Sequence, residues 1–183
     1  MTSIDKRFTA PTNIPNSSLT IEQATPDNED IVKFFFGPEW WSKEIESDFK
    51  DVNNWNPKVP LFLFYDKNRE LIAGATITTR NLPHPRRDST DKKRYLLLVS
   101  FGVNTPYQGT PDPQNDQKLK YAQIILDCVE QMARADENCF GVSLYVREEN
   151  IRAYNRYLKN GFIQVSEVFD QGGRPTIELR KIF

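Results

Sequence analysis

SLYVREENIRAYNRYLKNGF, residues Ser143 to Phe162, carries a strand, a helix and a stop in twenty positions. In the apolar alternation at its start, Leu144 and Val146 point to one side and Ser143 and Tyr145 to the other. Glu149 and Asn150 then supply first-turn acidity and a capping side chain, and the periodicity predicts a helix to about Lys159. Ile151, Tyr154 and Leu158 fall on one stripe, expected to be buried; Asn150, Ala153 and Tyr157 fall at the same spacing on a neighbouring face. Gly161 suits the left-handed conformation that follows a last helical turn, and Phe162 opens the next strand.

The spacing of Asn150, Ala153, Tyr157, Gly161 and Phe162 resembles the second signature of the GNAT superfamily of acetyl-CoA-dependent N-acyltransferases, which commonly reads N-x-x-A-x-x-x-Y-x-x-x-G-F. Arg152 and Lys159 are also common choices in that family. The plain alternative is an amphipathic helix with a glycine stop.

The remainder of the chain is compatible with one such domain. At 183 residues it is long enough to bury about two thirds of its unfolded surface in one core. A polar segment, residues 1–18, has no apolar core of a signal peptide and reads as a flexible arm ahead of a single domain over 19–183. The net charge of −1 points to neither nucleic acid nor an anionic membrane as partner, and no run approaches membrane-spanning length. Cys128 and Cys139 lack metal-ligand spacing, and His84 is the single histidine, so no metal site is expected and the thiols read as inert. The expectation is a soluble cytoplasmic protein.

Leu19 to Ala24 alternates as a first strand. Two helices follow, one carrying Ile31, Val32 and Phe34 to Phe36, the other running from about Ser42 to Val52, with Trp40, Trp41 and Trp55 beside them. In the resembled family this segment borders the acceptor pocket; packing at the core edge is the other reading of the tryptophans. Pro60–Tyr65 and Leu71–Thr79 predict an antiparallel hairpin about Asp66–Glu70. Arg80 to Arg94 reads as a basic loop, either a solvated tip or an attractor of acidic groups. Tyr95–Val103 is the most continuously apolar strand and is expected to be central. A helix through Ala122, Leu126, Val129 and Ala133, a strand over Gly141–Val146, and a closing hairpin of Phe162–Phe169 and Thr176–Phe183 complete the chain.

The resemblance implies the GNAT fold, an α/β (α+β) architecture with a mixed, mostly antiparallel sheet of six to seven strands and about four helices. It also implies acetyl-CoA as cosubstrate, held after the central strand by Gln108, Gly109 and Thr110, with main-chain N–H groups near Gly102 and Val103 facing the thioester oxygen. Pro111 and Pro113 depart from the family pattern, because proline has no N–H to offer a phosphate. With Pro111–Gln117 treated as an insertion, Lys118 and Lys120 enter the first turn of the next helix and replace glycines as phosphate contacts. By the same resemblance Tyr157 protonates the departing thiolate and Asn150 contacts the pantetheine arm, or simply caps the helix. No general base stands out: Glu178, Glu167, His84 and a water relay through Ser100 stay open. The implied activity is acetyl transfer by direct attack of a primary amine, on a small molecule or a peptide; a non-catalytic binding module with a degenerate loop is the other reading. An edge strand in the final hairpin leaves room for a homodimer.

Overall fold

The computed structural model describes residues 14, 16–24, 28, 61–85 and 92–183. The two helices expected between Asp27 and Val52, the three tryptophans, residues 86–91 of the basic loop and residues 1–13 of the arm lie outside the described residues. The chain divides into two compact units, Met1–Thr76 with Phe101–Cys128 and Ile77–Ser100 with Val129–Phe183. Strands β3 (Leu71–Pro83) and β4 (Lys92–Val103) and helix α1 (Tyr121–Arg134) each contribute residues to both.

In the first unit, β1 (Thr20–Gln23), β2 (Leu61–Tyr65) and the first half of β3 pair antiparallel in that order. All of LFLFY in β2 is buried, which suits a run without charged side chains. The β2–β3 hairpin is closed by the Asp66 carboxylate, which accepts from the amides of Asn68 (2.9 Å) and Glu70 (2.8 Å). Ala24, Leu61, Leu63 and Tyr65 form one buried cluster, with Leu71 packed against it.

The second unit holds the rest of β3 and most of β4, followed by β5 (Cys139–Arg147), α2 (Ile151–Lys159), β6 (Ile163–Gln164), β7 (Phe169–Asp170) and β8 (Pro175–Ile182). Its strand order is β3-β4-β5-β8-β6, with β7 also paired to β8. The pairing of β4 with β5 is parallel, from Arg94↔Cys139 to Leu98↔Leu144, whereas β5–β8, β6–β8 and β7–β8 are antiparallel. Tyr95 to Leu98 are all buried, the expected signature of a central strand.

Two expectations are corrected. The basic loop is shorter than Arg80–Arg94, because β3 runs on to Pro83 and β4 starts at Lys92. Eight strands stand among the described residues, in the mixed, mostly antiparallel sheet that was expected. The penultimate one is broken: Glu178 N–H leaves the backbone ladder to donate to Ser166 Oγ (2.9 Å), which separates β6 from β7. Two helices stand among the described residues. The stripe Ile151, Tyr154, Leu158 is not buried: Ile151 is 59% exposed and Leu158 38%, and Tyr154 directs its hydroxyl to Gln164 Oε1 (2.9 Å). The Ala153–Tyr157 face of α2 is the more covered one.

Candidate active site

The first unit carries the expected cofactor loop. β4 continues through Gly102 and Val103, both half-buried, beyond the last registered pair with β5. Asn104 then anchors the turn: its N–H donates to Ile72 O (2.8 Å) and its Nδ2 to Leu71 O (3.3 Å). A single 3-10 turn, Thr105–Tyr107, follows, and the Tyr107 hydroxyl donates to the Glu70 carboxylate. Gln108 folds back, its Nε2 donating to Val103 O (3.1 Å). Gly109 adopts φ +79°, a conformation that favours glycine.

Between Thr110 and Tyr121 the chain makes a closed hairpin. Pro111 faces Lys120 across an antiparallel bridge, with Tyr121 N–H donating to Thr110 O (3.3 Å) and Asp112 N–H to Leu119 O (2.9 Å). The tip is held by Asn115 Oδ1, which accepts from the amides of Gln117 and Leu119 (both 3.1 Å). Residues 111–117 thus belong to a hairpin with its own hydrogen bonds. Lys118 is not in the first helical turn, however. It sits at φ +52° before the hairpin closes, and Lys120 immediately precedes the helix, its carbonyl accepting from Gln123 and Ile124. Both lysines are exposed and make no ion pair among the described residues. The N–H groups of Gly109, Lys120 and Ala122 likewise have no acceptor among the described residues. Free donors at a helix start, with two cations on the same segment, suit a phosphate.

Asp112 was not singled out in the sequence. It is 1% exposed, and its carboxylate accepts from Ser17 Oγ (2.6 Å), Ser18 N (2.9 Å), Ser18 Oγ (2.8 Å) and Gln114 N (3.0 Å). Burial raises the carboxyl, but the hydrogen bonds from Ser17, Gln114 and Ser18 outweigh it and hold Asp112 below the ordinary aspartate value. Asn115 Nδ2 adds a bond to Asn16 O (3.0 Å), and Ile14 is buried, so the end of the predicted arm has fixed partners. An aspartate between two prolines is a turn signal; nothing local shows that its partners lie 94 and 95 residues away.

The second unit carries Asn150 and Tyr157 on α2. Asn150 caps the helix, its Oδ1 accepting from Ala153 N–H (3.1 Å). Tyr157 is half-buried, and its hydroxyl has no hydrogen-bond partner among the described residues. Burial pushes this phenol up to about 12, against a smaller opposing effect of Arg156. Gly161 ends the helix at φ +83°, as expected.

Of the suggested bases, Glu178 is engaged: its Oε1 accepts from Ser143 Oγ (2.9 Å) and from Arg180 Nε (2.7 Å). Arg180 is buried, donates to Pro83 O (2.5 Å) and lies 5.0 Å from the Tyr95 ring centroid. Glu167 is exposed, and His84 stacks edge-on against Phe140 with 5.4 Å between ring centroids. Cys128 is buried and pushed up to about 12 by that burial, and half-buried Cys139 is also raised chiefly by burial. No group of three or more metal-ligating side chains occurs among the described residues.

No family model matches the sequence, and no curated protein matches it. Solved structures do. A spermidine/spermine N-acetyltransferase, SpeG from Vibrio cholerae, aligns over 91% of this chain and 94% of its own at TM-score 0.61 and 14% identity. Arabidopsis thaliana NAA60 in complex with acetyl-CoA aligns over 90% and 98% at TM-score 0.58 and 16% identity. A bacterial toxin aligns over 91% of both chains at TM-score 0.61 and 19% identity. At these identities the likeness is one of architecture, and it agrees with the signature on α2: this chain has the GNAT fold.

Proposed function

We propose that this protein is an N-acetyltransferase that moves an acetyl group from acetyl-CoA to a primary amine. The observation that carries the reading is the segment Gly109–Ala122, where three N–H groups and two lysines with no partner among the described residues collect at one hairpin. This loop fits the pyrophosphate of CoA despite its prolines, because Pro111 turns the chain into the hairpin and leaves donation to its neighbours. Gly102, Val103, Gln108, Gly109, Thr110, Lys118, Lys120 and Asn150 are the residues the resemblance assigns to the donor, and Tyr157 the one it assigns to the departing thiol. Several proteins of this fold were solved with acetyl-CoA or with a bisubstrate analogue, CoA-Ac-MVNAL in the case of Arabidopsis thaliana Naa50.

Acetyl-CoA, when bound, supplies an activated acetyl thioester. The role of Tyr157 follows from its environment. Burial holds this phenol above the ordinary tyrosine range, so Tyr157 is protonated at neutral pH. It keeps the proton on its hydroxyl and donates a hydrogen bond to the negative charge that develops on sulfur as the C–S bond breaks. Solvent supplies the thiol proton and accepts the one released by the amine. Glu178, whose Oε1 is shared by Ser143 and Arg180, is a structural carboxylate in this scheme.

Melting the protein with acetyl-CoA, CoA or inorganic phosphate tests the donor: a rise with both CoA forms and none with phosphate is expected. Release of CoA thiol in the presence of spermidine or short peptides with free N-termini then identifies the acceptor class. Absence of any shift near millimolar acetyl-CoA overturns the proposal in favour of a non-catalytic binding module.

A further inference from the structure

The base of the cofactor hairpin is fixed from outside the loop. Asp112 stands one residue after the Pro111–Lys120 bridge, and its buried carboxylate is filled by four donors, three of them from Ser17 and Ser18. These serines immediately precede Leu19, which is 1% exposed, and β1, itself paired to β2. Asn115 adds a second tie, to Asn16. The hairpin's own bonds close its base and shape its tip, and the Asp112 carboxylate ties it to a second segment. Charge-assisted bonds in a buried setting are both strong and directional, so this tie fixes where the hairpin sits.

We infer that Asp112, with Ser17 and Ser18, positions the pyrophosphate-binding loop, so that the segment leading into β1 is a working part of the donor site. The inference rests on the assignment of residues 109–122 to CoA. Asp112 touches no substrate; it acts through the placement of Lys118, Lys120 and the amides beside them. Losing the tie then costs donor affinity and leaves the chemistry of an occupied site intact, which is a rise in KM at constant kcat. The defect is also confined to the part of the donor that the loop holds. S-acetyl-pantetheine, which lacks pyrophosphate and nucleotide, is used equally well with or without the tie.

The test compares wild type, Asp112→Asn and the double variant Ser17→Ala, Ser18→Ala, all full-length. The expected result is a rise of about tenfold in KM for acetyl-CoA in D112N, with kcat at saturation and kcat/KM for S-acetyl-pantetheine unchanged. The serine variant, which removes two of the four donors but no charge, shifts the same constant in the same direction, and stands in should D112N fail to fold. An unchanged KM in both variants overturns the inference. So does a parallel loss with both donors, which marks Asp112 as a general structural residue. If wild type itself binds no CoA, the donor assignment fails first and takes this inference with it.

Discussion

Tyr157 and Phe162 face each other across the glycine stop of α2, their ring centroids 5.7 Å apart and their planes tilted by 60°, while the Phe162 N–H donates to the Tyr157 carbonyl (3.1 Å). The position of the tyrosine is thus set by its ring and backbone, and its hydroxyl has no hydrogen-bond partner among the described residues. Tyr157→Phe keeps every one of these contacts. It should melt like wild type and lose about tenfold or more in kcat, with KM for acetyl-CoA unchanged. Full turnover in the variant would remove Tyr157 from the mechanism.

The same phenol sets a pH dependence. Its native value is raised to about 12, above the ordinary tyrosine value, so the native state holds this proton where the unfolded chain releases it. Its contribution to stability is complete below about pH 10 and is lost as pH climbs from there toward 12. Turnover should accordingly show no alkaline decline from Tyr157 below pH 10, and an alkaline limb below pH 10 present in wild type but missing in Y157F would contradict the assignment.

Asp112 works at the other end of the scale. Its carboxyl is held below the ordinary aspartate value, so its contribution to stability is complete above about pH 4 and falls away as acid protonates the native state. Acid unfolding of Asp112→Asn, followed by circular dichroism, should show a shallower dependence on pH below 4 than wild type. Parallel curves would mean that the four hydrogen bonds leave this carboxyl unshifted.

Lys118 and Lys120 are exposed, and their removal should cost the fold little. In the double alanine variant CoA affinity measured by calorimetry is expected to fall about tenfold, with a weaker dependence on salt than in wild type. Unchanged affinity would leave the main-chain N–H groups as the only phosphate contacts.

Gly141 is a packing prediction independent of any ligand. A Cβ built there would stand 2.1 Å from Lys181 O, on the neighbouring backbone of β8, which has no flexible end to move aside. Gly141→Ala should destabilise the protein by about 3 kcal/mol, read by denaturant unfolding, and loss of less than 1 would show that β5 and β8 can separate locally.

Much of this was legible beforehand because it was local. Ala122, Leu126, Val129 and Ala133 are all buried at the spacing that named them, Asn150 caps α2, and Gly161 takes the positive φ assigned to it. Ile151 and Leu158 were misassigned for a physical reason: periodicity defines the faces of a helix but not which face is covered, and α2 has apolar residues on two of them. Lys118 was placed inside α1 because nothing in its own neighbourhood announces that Asn115 closes a turn over Gln117 and Leu119. Asp112 was missed altogether, since its significance comes from serines at the far end of the unit's sequence.

The two native thiols open an experimental route. Cys128 and Cys139 both have their thiolate forms suppressed by burial, and thiolate is the species that alkylating reagents attack. A cysteine introduced at exposed Asp116, on the tip of the hairpin, will therefore label selectively in the native protein. A fluorophore there reports loop motion directly, in a background that needs no prior removal of cysteines.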